Sequence, residues 1–233
     1  MKLSIVVPCF NEEKNIPLIA NRFNEVIKRD DIEVILVDNG STDNSHCVIE
    51  DLLPKYSFLR TVKLESNQGY GFGILFGLRG AQGEYIGWTH ADMQTDPYDV
   101  IRGLELIERS SQPTKIFVKG KRQSRPIGDR FFTCGMSAFE SMYLGVPLND
   151  INAQPNLFHC SFFELWEDPP YDFSIDLYAF YMARRHNFDV VRFPVRFTQR
   201  IHGHSHWNSG LKAKWKFIKR TLDFSFSLKR RLK

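Results

Sequence analysis

Strand-like and helix-like segments alternate without a break over roughly the first 110 residues, and this rhythm constrains the fold more than any other feature. Leu3-Ser4-Ile5-Val6-Val7 is an apolar run that stops at Pro8. Glu12 to Lys28 then carries Ile16, Ile19, Phe23, Val26 and Ile27 at helical spacing. Glu33 to Val37 repeats the strand pattern, Asn44 to Leu53 the helix, and Arg60 to Leu64 the strand. A Gly-rich helix over Tyr70 to Ala81 and a fourth strand over Glu84 to Trp88 follow. Connections this short, repeated in this order, predict an α/β fold with a mostly parallel central sheet flanked by helices.

Beyond that point the rhythm loosens. Lys115 to Lys119 reads as a strand, Asp129 to Leu144 as a helix, and Ile151 to Phe158 as extended chain. Ile175 to Arg185 is predicted helical, Val190 to Phe197 a strand, and Lys212 to Lys229 a last helix. The organisation expected is one domain over 1–210, in a first half (1–110) and a second half (111–210). A basic amphipathic helix over 211–233 follows it. There is no repeat or low-complexity segment.

Charge separates the two parts. The chain is +4 overall, yet residues 211–233 hold nine Lys/Arg against the single Asp223, so residues 1–210 are net −4. A basic helix on an acidic body points to an anionic membrane surface rather than nucleic acid. The alternative is a helix packed on the body with a solvated basic face. Cys9, Cys47, Cys134 and Cys160 lie far apart without a CxxC pair, which predicts reduced thiols and a cytosolic setting. Neither a signal-peptide pattern nor an apolar run of about 20 residues is present, so a peripheral place on the inner membrane face is expected. The chain has 20 Phe, concentrated after residue 115, which predicts either an apolar groove or a Phe-rich core. No feature speaks to oligomeric state.

The candidate site begins where the fourth strand ends. His90, Asp92 and Gln94 occupy alternate positions after Trp88, and alternate residues of an extended chain point the same way. All three side chains can ligate a divalent cation, and open α/β sheets bind ligands beyond the carboxyl ends of their strands. Asp96-Pro97 then opens a helix. Pro8-Cys9-Phe10-Asn11-Glu12 and Asp38-Asn39 end the first two strands and suit a flat hydrogen-bonding ligand such as a nucleobase. Asp38 and Asp43 are also plausible caps for the next helix. The run Asn67 to Gly73 fails the GxGxxG pattern, because Phe76 stands where the third Gly should be; close packing explains Gly73 and Gly77 better.

Together these segments resemble the family 2 glycosyltransferases of the GT-A fold, and among them the dolichyl/polyprenyl-phosphate sugar transferases. The resemblance covers about the first 210 residues. It rests on Val-Val-Pro-x-Phe-Asn-Glu-Glu, Val-Asp-Asn-Gly-Ser-Thr-Asp and the acidic motif at Asp92. Val118 to Arg122, Asp150 to Gln154, Ser174-Ile175-Asp176 and Arg200 to His206 extend it. It implies a metal-dependent, inverting enzyme using Mn²⁺ or Mg²⁺ and a UDP- or GDP-type sugar donor. Pro8, Phe10, Glu12, Asp38, Asn39, Ala91 and Asp92 would line the nucleotide, with Arg122, Arg130, Arg200 and His206 at the phosphates. The acceptor implied is polyprenyl phosphate, which needs no base. A sugar hydroxyl on a lipid-linked or cell-surface glycan would need one, and Asp150 and Asp176 are the candidates.

Three departures stand out. Asn39 replaces the second Asp of a common pair, His90 the first Asp of the DxD-type motif, and His206 a Lys. Imidazole is a poorer ligand for Mg²⁺ than for Mn²⁺. A non-catalytic nucleotide-binding scaffold of a glycan-assembly complex is the reading these changes leave open. His202, His204 and His206 alternate and form a second, weaker metal candidate; a loop closing over the pyrophosphate, with Trp207 as a lid, is the other expectation.

Overall fold

The computed structural model describes residues 1–123, 127–203 and 211–231, without the side chains of 127–132, 211–214, 216 and 217. The alternation is realised as β1 (Leu3–Cys9), α1 (Ile16–Val26), β2 (Ile32–Asn39), α2 (Ser45–Leu52), β3 (Leu59–Leu64), α3 (Tyr70–Arg79) and β4 (Tyr85–Trp88). Then come α4 (Tyr98–Glu108), β5 (Ile116–Gln123), α5 (Ile127–Leu144), β6 (Asn156–His159), α6 (Cys160–Phe163), α7 (Ile175–Arg185), β7 (Asp189–Arg196) and α8 (Leu211–Arg231). The seven strands form one sheet in the order β3-β2-β1-β4-β6-β5-β7.

β1 to β4 run parallel, as do β5 and β7. β6 lies antiparallel between β4 and β5. The extended segment expected over 151–158 narrows to this four-residue strand, and the one-turn α6 follows it unannounced by any periodicity. Strands of both halves of the chain therefore share one sheet through β6.

Strand alternation sorts the core into two layers. Leu3, Ile5 and Val7 of β1 pack with Ile16, Ile19 and Phe23 of α1 and with Val100 and Leu104 of α4. Val6 of β1 points the other way, into a layer with Ile74 and Leu78 of α3 and Ala179 of α7. α3 reaches the sheet because of Gly77, where a Cβ would meet Val6 Cγ1 at 2.5 Å. Part of the Phe surplus is core: Phe117, Phe158, Phe162 and Phe180 are fully buried. Phe158 meets Phe117 at 5.7 Å and Phe162 at 5.1 Å between ring centres. All four cysteines are free thiols.

α8 is docked on the body along its C-terminal half. Leu228 is buried, Ser225 donates to Glu140 of α5 at 2.6 Å, and Lys229 lies over the Tyr143 ring. Arg231 pairs with Asp168. Part of the basic charge expected on an outward face is thus spent on the body, while Trp215 stays 67% exposed. No described helix is long and apolar enough to cross a membrane.

Candidate active site

A cavity of about 650 Å³ lies beyond the carboxyl ends of β1, β2 and β4. Its donor-side floor is two interlocked turns. Asn11 N–H donates to Ser41 Oγ at 3.1 Å, and Asn11 Oδ1 accepts from Thr42 N–H at 2.8 Å. Glu12 N–H donates to Ser45 Oγ at 2.9 Å, and Glu13 N–H to Asp43 at 3.3 Å. The short polar residues after each strand satisfy the backbone groups that the strands leave unpaired. Pro8, Phe10, Glu12 and Asn39 all border the cavity.

Asp38 does not border it. It is 1% exposed, accepts from Ser41 N–H at 2.9 Å and faces His46 at 3.6 Å. The expected nucleotide contact is corrected to a turn cap, because the carboxylate points back into its own loop. Asn39 is the residue presented. Its Nδ2 donates to Gly69 O at 3.0 Å, while its buried Oδ1 has no hydrogen-bond partner among the described residues.

The path after β4 is not extended. Residues 91–95 form bends, Met93 has φ 57°, and Asp92 Oδ1 accepts from Gln94 N–H at 3.1 Å. The alternation argument for His90, Asp92 and Gln94 therefore fails as geometry, although all three, with Ala91, still border the cavity. Gln94 spends its amide N–H₂ on Thr198 O at 3.1 Å. Asp92 Oδ2 faces Arg200, whose Nε and Nη2 each lie 3.0 Å away. Burial lowers the His90 pKa against the pull of Asp92 and Asp176, so the imidazole is held neutral, the form that ligates metals. Among the described residues no three His, Cys, Asp or Glu side chains are arranged to hold a metal. Asp92 with His90 still fits a divalent cation of the kind bound by one or two protein groups plus substrate phosphates and water.

The α7 end of the cavity is built differently. Asp176, at the start of α7, is 1% exposed and accepts from Trp88 Nε1 at 3.2 Å and Asn156 Nδ2 at 3.0 Å. Asn156 Oδ1 accepts in turn from Lys119 Nζ at 2.7 Å, and Lys119 also donates to Ala153 O at 2.7 Å. Burial raises the Asp176 pKa and pushes that of Lys119 down to about 7, each offset in part by the other's charge. Sequence reasoning missed Lys119 and Asn156 as parts of the site. The available signal was a lysine inside the otherwise apolar run Ile116 to Gly120.

Asp150 is a clamp. It accepts from Arg122 N–H, Nε and Nη2 at 2.8, 2.8 and 2.5 Å, with Arg192 at 3.8 Å. Burial opposes its ionisation, but the Arg122 charge and hydrogen bonds outweigh that and hold its pKa below the usual range. The expectation of Asp150 as a general base is thereby corrected. Arg122 borders the cavity and lies over Phe197 at 5.2 Å.

The first turn of α3 packs on the 170–171 segment. Phe72 N–H donates to Tyr171 O at 3.0 Å, and a Cβ on Gly69 or Gly71 would lie 2.3 or 2.4 Å from a carbonyl oxygen of the 170–171 segment. The glycines admit that segment, which carries Phe173 onto Tyr70 with ring centres 4.4 Å apart. Arg220 of α8 lies over Phe173 at 5.2 Å, and Arg220 and Thr221 border the cavity. The terminal helix is thus a wall of the site, a role its sequence did not advertise. The Arg130 side chain and all of His204, His206 and Trp207 lie outside the described residues. Of the His triplet, His202 is described; its carbonyl accepts from Asn15 Nδ2 at 3.3 Å.

Solved structures share this architecture. Glucosyl-3-phosphoglycerate synthase from Mycobacterium tuberculosis, in complex with Mn²⁺, UDP-glucose and phosphoglyceric acid, superposes with a TM-score of 0.72 at 15% identity. That match covers 96% of this chain and 79% of the other. A mannosyltransferase from Pyrobaculum calidifontis, with GDP-mannose and Mn²⁺, gives 0.65 at 19% identity over 88% of this chain and 58% of its own length. At such identities the likeness is one of fold. The sequence carries the family: residues 4–166, more than half the chain, match the profile of glycosyl transferase family 2, and the chain belongs to that family.

Proposed function

We propose that this glycosyltransferase is metal-dependent and inverting, and that it moves a sugar from a UDP- or GDP-type donor to polyprenyl phosphate at the cytoplasmic face of a membrane. The observation that carries the reading is one cavity bordered by Asn39, Asp92, Arg122, Asp176 and Arg200 beyond the strand ends. Both structural neighbours were solved with Mn²⁺ and a nucleotide sugar, one UDP-linked and one GDP-linked.

The nucleotide lies over Pro8, Phe10 and Ala91, and the unpartnered Asn39 Oδ1 accepts an N–H of the base. Glu12 faces the ribose–phosphate side, near Arg200. Asp92, with His90, holds Mn²⁺ or Mg²⁺, which when bound supplies Lewis-acid stabilisation of the departing diphosphate. Arg200 and Arg122 add charge-assisted hydrogen bonds to the diphosphate, and Asp150 keeps Arg122 oriented before substrate arrives. A lipid phosphate is already ionised and attacks without a base. The exposed Trp215 and the basic face of 211–233 meet the membrane surface.

Asp176 favours a second reading, a sugar-hydroxyl acceptor on a lipid-linked or cell-surface glycan. It borders the cavity, and burial makes its carboxylate more basic than usual, as a proton acceptor requires.

Thermal melting with UDP, GDP, CDP and dTDP, with and without Mn²⁺ or Mg²⁺, tests the donor site. Saturation at 100 times Kd stabilises by about 2.7 kcal/mol. In a domain of this size each kcal/mol moves Tm by about 2–4 °C. A metal-dependent shift with one nucleotide, absent in Asp92→Ala, is expected. No shift with any nucleotide would sink the proposal. Sugar transfer to a short-chain polyprenyl phosphate, compared with transfer to a glycan hydroxyl, separates the two acceptors.

A further inference from the structure

Arg200 occupies the place a cation would take. Asp92 Oδ1 accepts from Gln94 N–H at 3.1 Å within its own turn, and Oδ2 is the oxygen turned to an outside partner. The Arg200 guanidinium covers it, with Nε and Nη2 each at 3.0 Å. Nη1 reaches Glu12 at 3.5 Å, so one guanidinium bridges two carboxylates, Asp92 from the β4 exit and Glu12 from the β1 exit. The backbone around it is tethered on both sides. Thr198 N–H donates to Gln94 O at 2.9 Å, and the Gln94 amide returns a bond to Thr198 O at 3.1 Å. Beyond Arg200, the His202 carbonyl is held by Asn15. The Arg200 side chain is 26% exposed, so it can swing off Asp92 without breaking either tether.

We propose that Arg200 is a built-in competitor for the divalent cation at Asp92, displaced when a nucleoside diphosphate binds. This rests on the reading of Asp92 as a metal ligand. A guanidinium held on Oδ2 repels a divalent cation at the same carboxylate, and at about 3 Å in a site screened from water that repulsion weakens metal binding. A diphosphate accepts the guanidinium two-pronged and carries more charge than Asp92 does. It therefore draws Arg200 away and exposes Oδ2 in the same event. Metal and nucleotide then bind cooperatively, and the coupling is reciprocal. The arrangement keeps the enzyme from filling its site with metal alone.

Mn²⁺ binding to the full chain, read by electron paramagnetic resonance of the free ion in the absence of nucleotide, tests this without any turnover. Arg200→Gln is expected to bind Mn²⁺ about tenfold more tightly than the unaltered protein. Arg200→Lys keeps the charge but loses the two-pronged contact, so its gain is smaller, about threefold. UDP or GDP is expected to tighten Mn²⁺ binding less in Arg200→Gln than in the unaltered protein. Melting curves report whether each variant is folded, and a gain in either variant supports the competition. If neither binds Mn²⁺ more tightly while Asp92→Asn abolishes nucleotide-dependent Mn²⁺ uptake, the competition is wrong and the metal site stands. If the gain of Arg200→Gln persists in the Asp92→Asn/Arg200→Gln double variant, the ion sits elsewhere and the reading of Asp92 falls with the proposal.

Discussion

The two ends of one cavity, which we assign to donor and acceptor, are made by opposite means. At the donor end, the β1 and β2 exits lock to each other through short polar side chains and backbone N–H groups. Each contributing motif is a few consecutive residues after a strand. At the acceptor end, Lys119 of β5, Asn156 of β6 and Asp176 of α7 meet across the sheet in a buried chain of charge and amide. The donor end resembles a hinge-free socket set by local geometry. The acceptor end depends on distant segments packing correctly, and it pays in desolvated charge.

Asp92→Ala sharpens the comparison most. Loss of a group that stabilises developing charge costs on the order of 10²–10³ in kcat. Among the described residues Asp92 bonds its own turn and Arg200, and Arg200 keeps Glu12 as a partner when Asp92 is removed, so the melting temperature should move little. Steady-state kinetics beside a melting curve would show this split, and a large loss of stability would break the view of the donor end as self-supporting.

Lys119→Met acts in the reverse sense. It strips Ala153 O and Asn156 Oδ1 of their donor, and a buried unsatisfied group costs about 1–3 kcal/mol. Denaturant unfolding should report that loss, and Mn²⁺-dependent nucleotide binding should survive it. If nucleotide binding fails as well, the two ends are not separable.

The acceptor side should also give stability a pH dependence with two signs. Burial raises the Glu140 pKa from 4.5 to about 7, so from pH 4.5 to 7 the folded state holds a proton the unfolded state has lost. Stability from this group is full below pH 4.5 and is lost as pH rises through 7. Lys119, lowered from 10.5 to about 7, behaves oppositely. Between pH 7 and 10.5 the unfolded state holds the extra proton, and stability rises with pH. Unfolding curves across pH 5–9 check both, since Glu140→Gln should flatten the lower limb alone. Ser45→Ala is the smallest effect, about 1 kcal/mol for the lost acceptor of Glu12 N–H.

The resemblance was legible because its motifs are contiguous, and so were the parallel strands, since side-chain alternation and short connections are local properties. Asn39 and Asp92 were found at the cavity for the same reason. Asp38 was misplaced because one carboxylate can serve a ligand or its own turn, and only the loop's path decides which. The extended-chain argument at 90–94 failed because φ at Met93 is positive, which no residue pattern announced. Asp150 was expected as a base because its partners Arg122 and Arg192 are 28 and 42 positions away.

By itself, then, the sequence determined the family, the two-layered sheet and the donor-side strand exits, because each rests on interactions within a few residues. The tertiary structure decided which carboxylates are free. It placed Asp150 against arginines, Asp176 among buried donors and Asp92 under Arg200. It also turned α8 into a cavity wall through Arg220 and Thr221. Charge state and accessibility depend on what packs nearby in space, and neighbours in space are what a linear sequence leaves unstated.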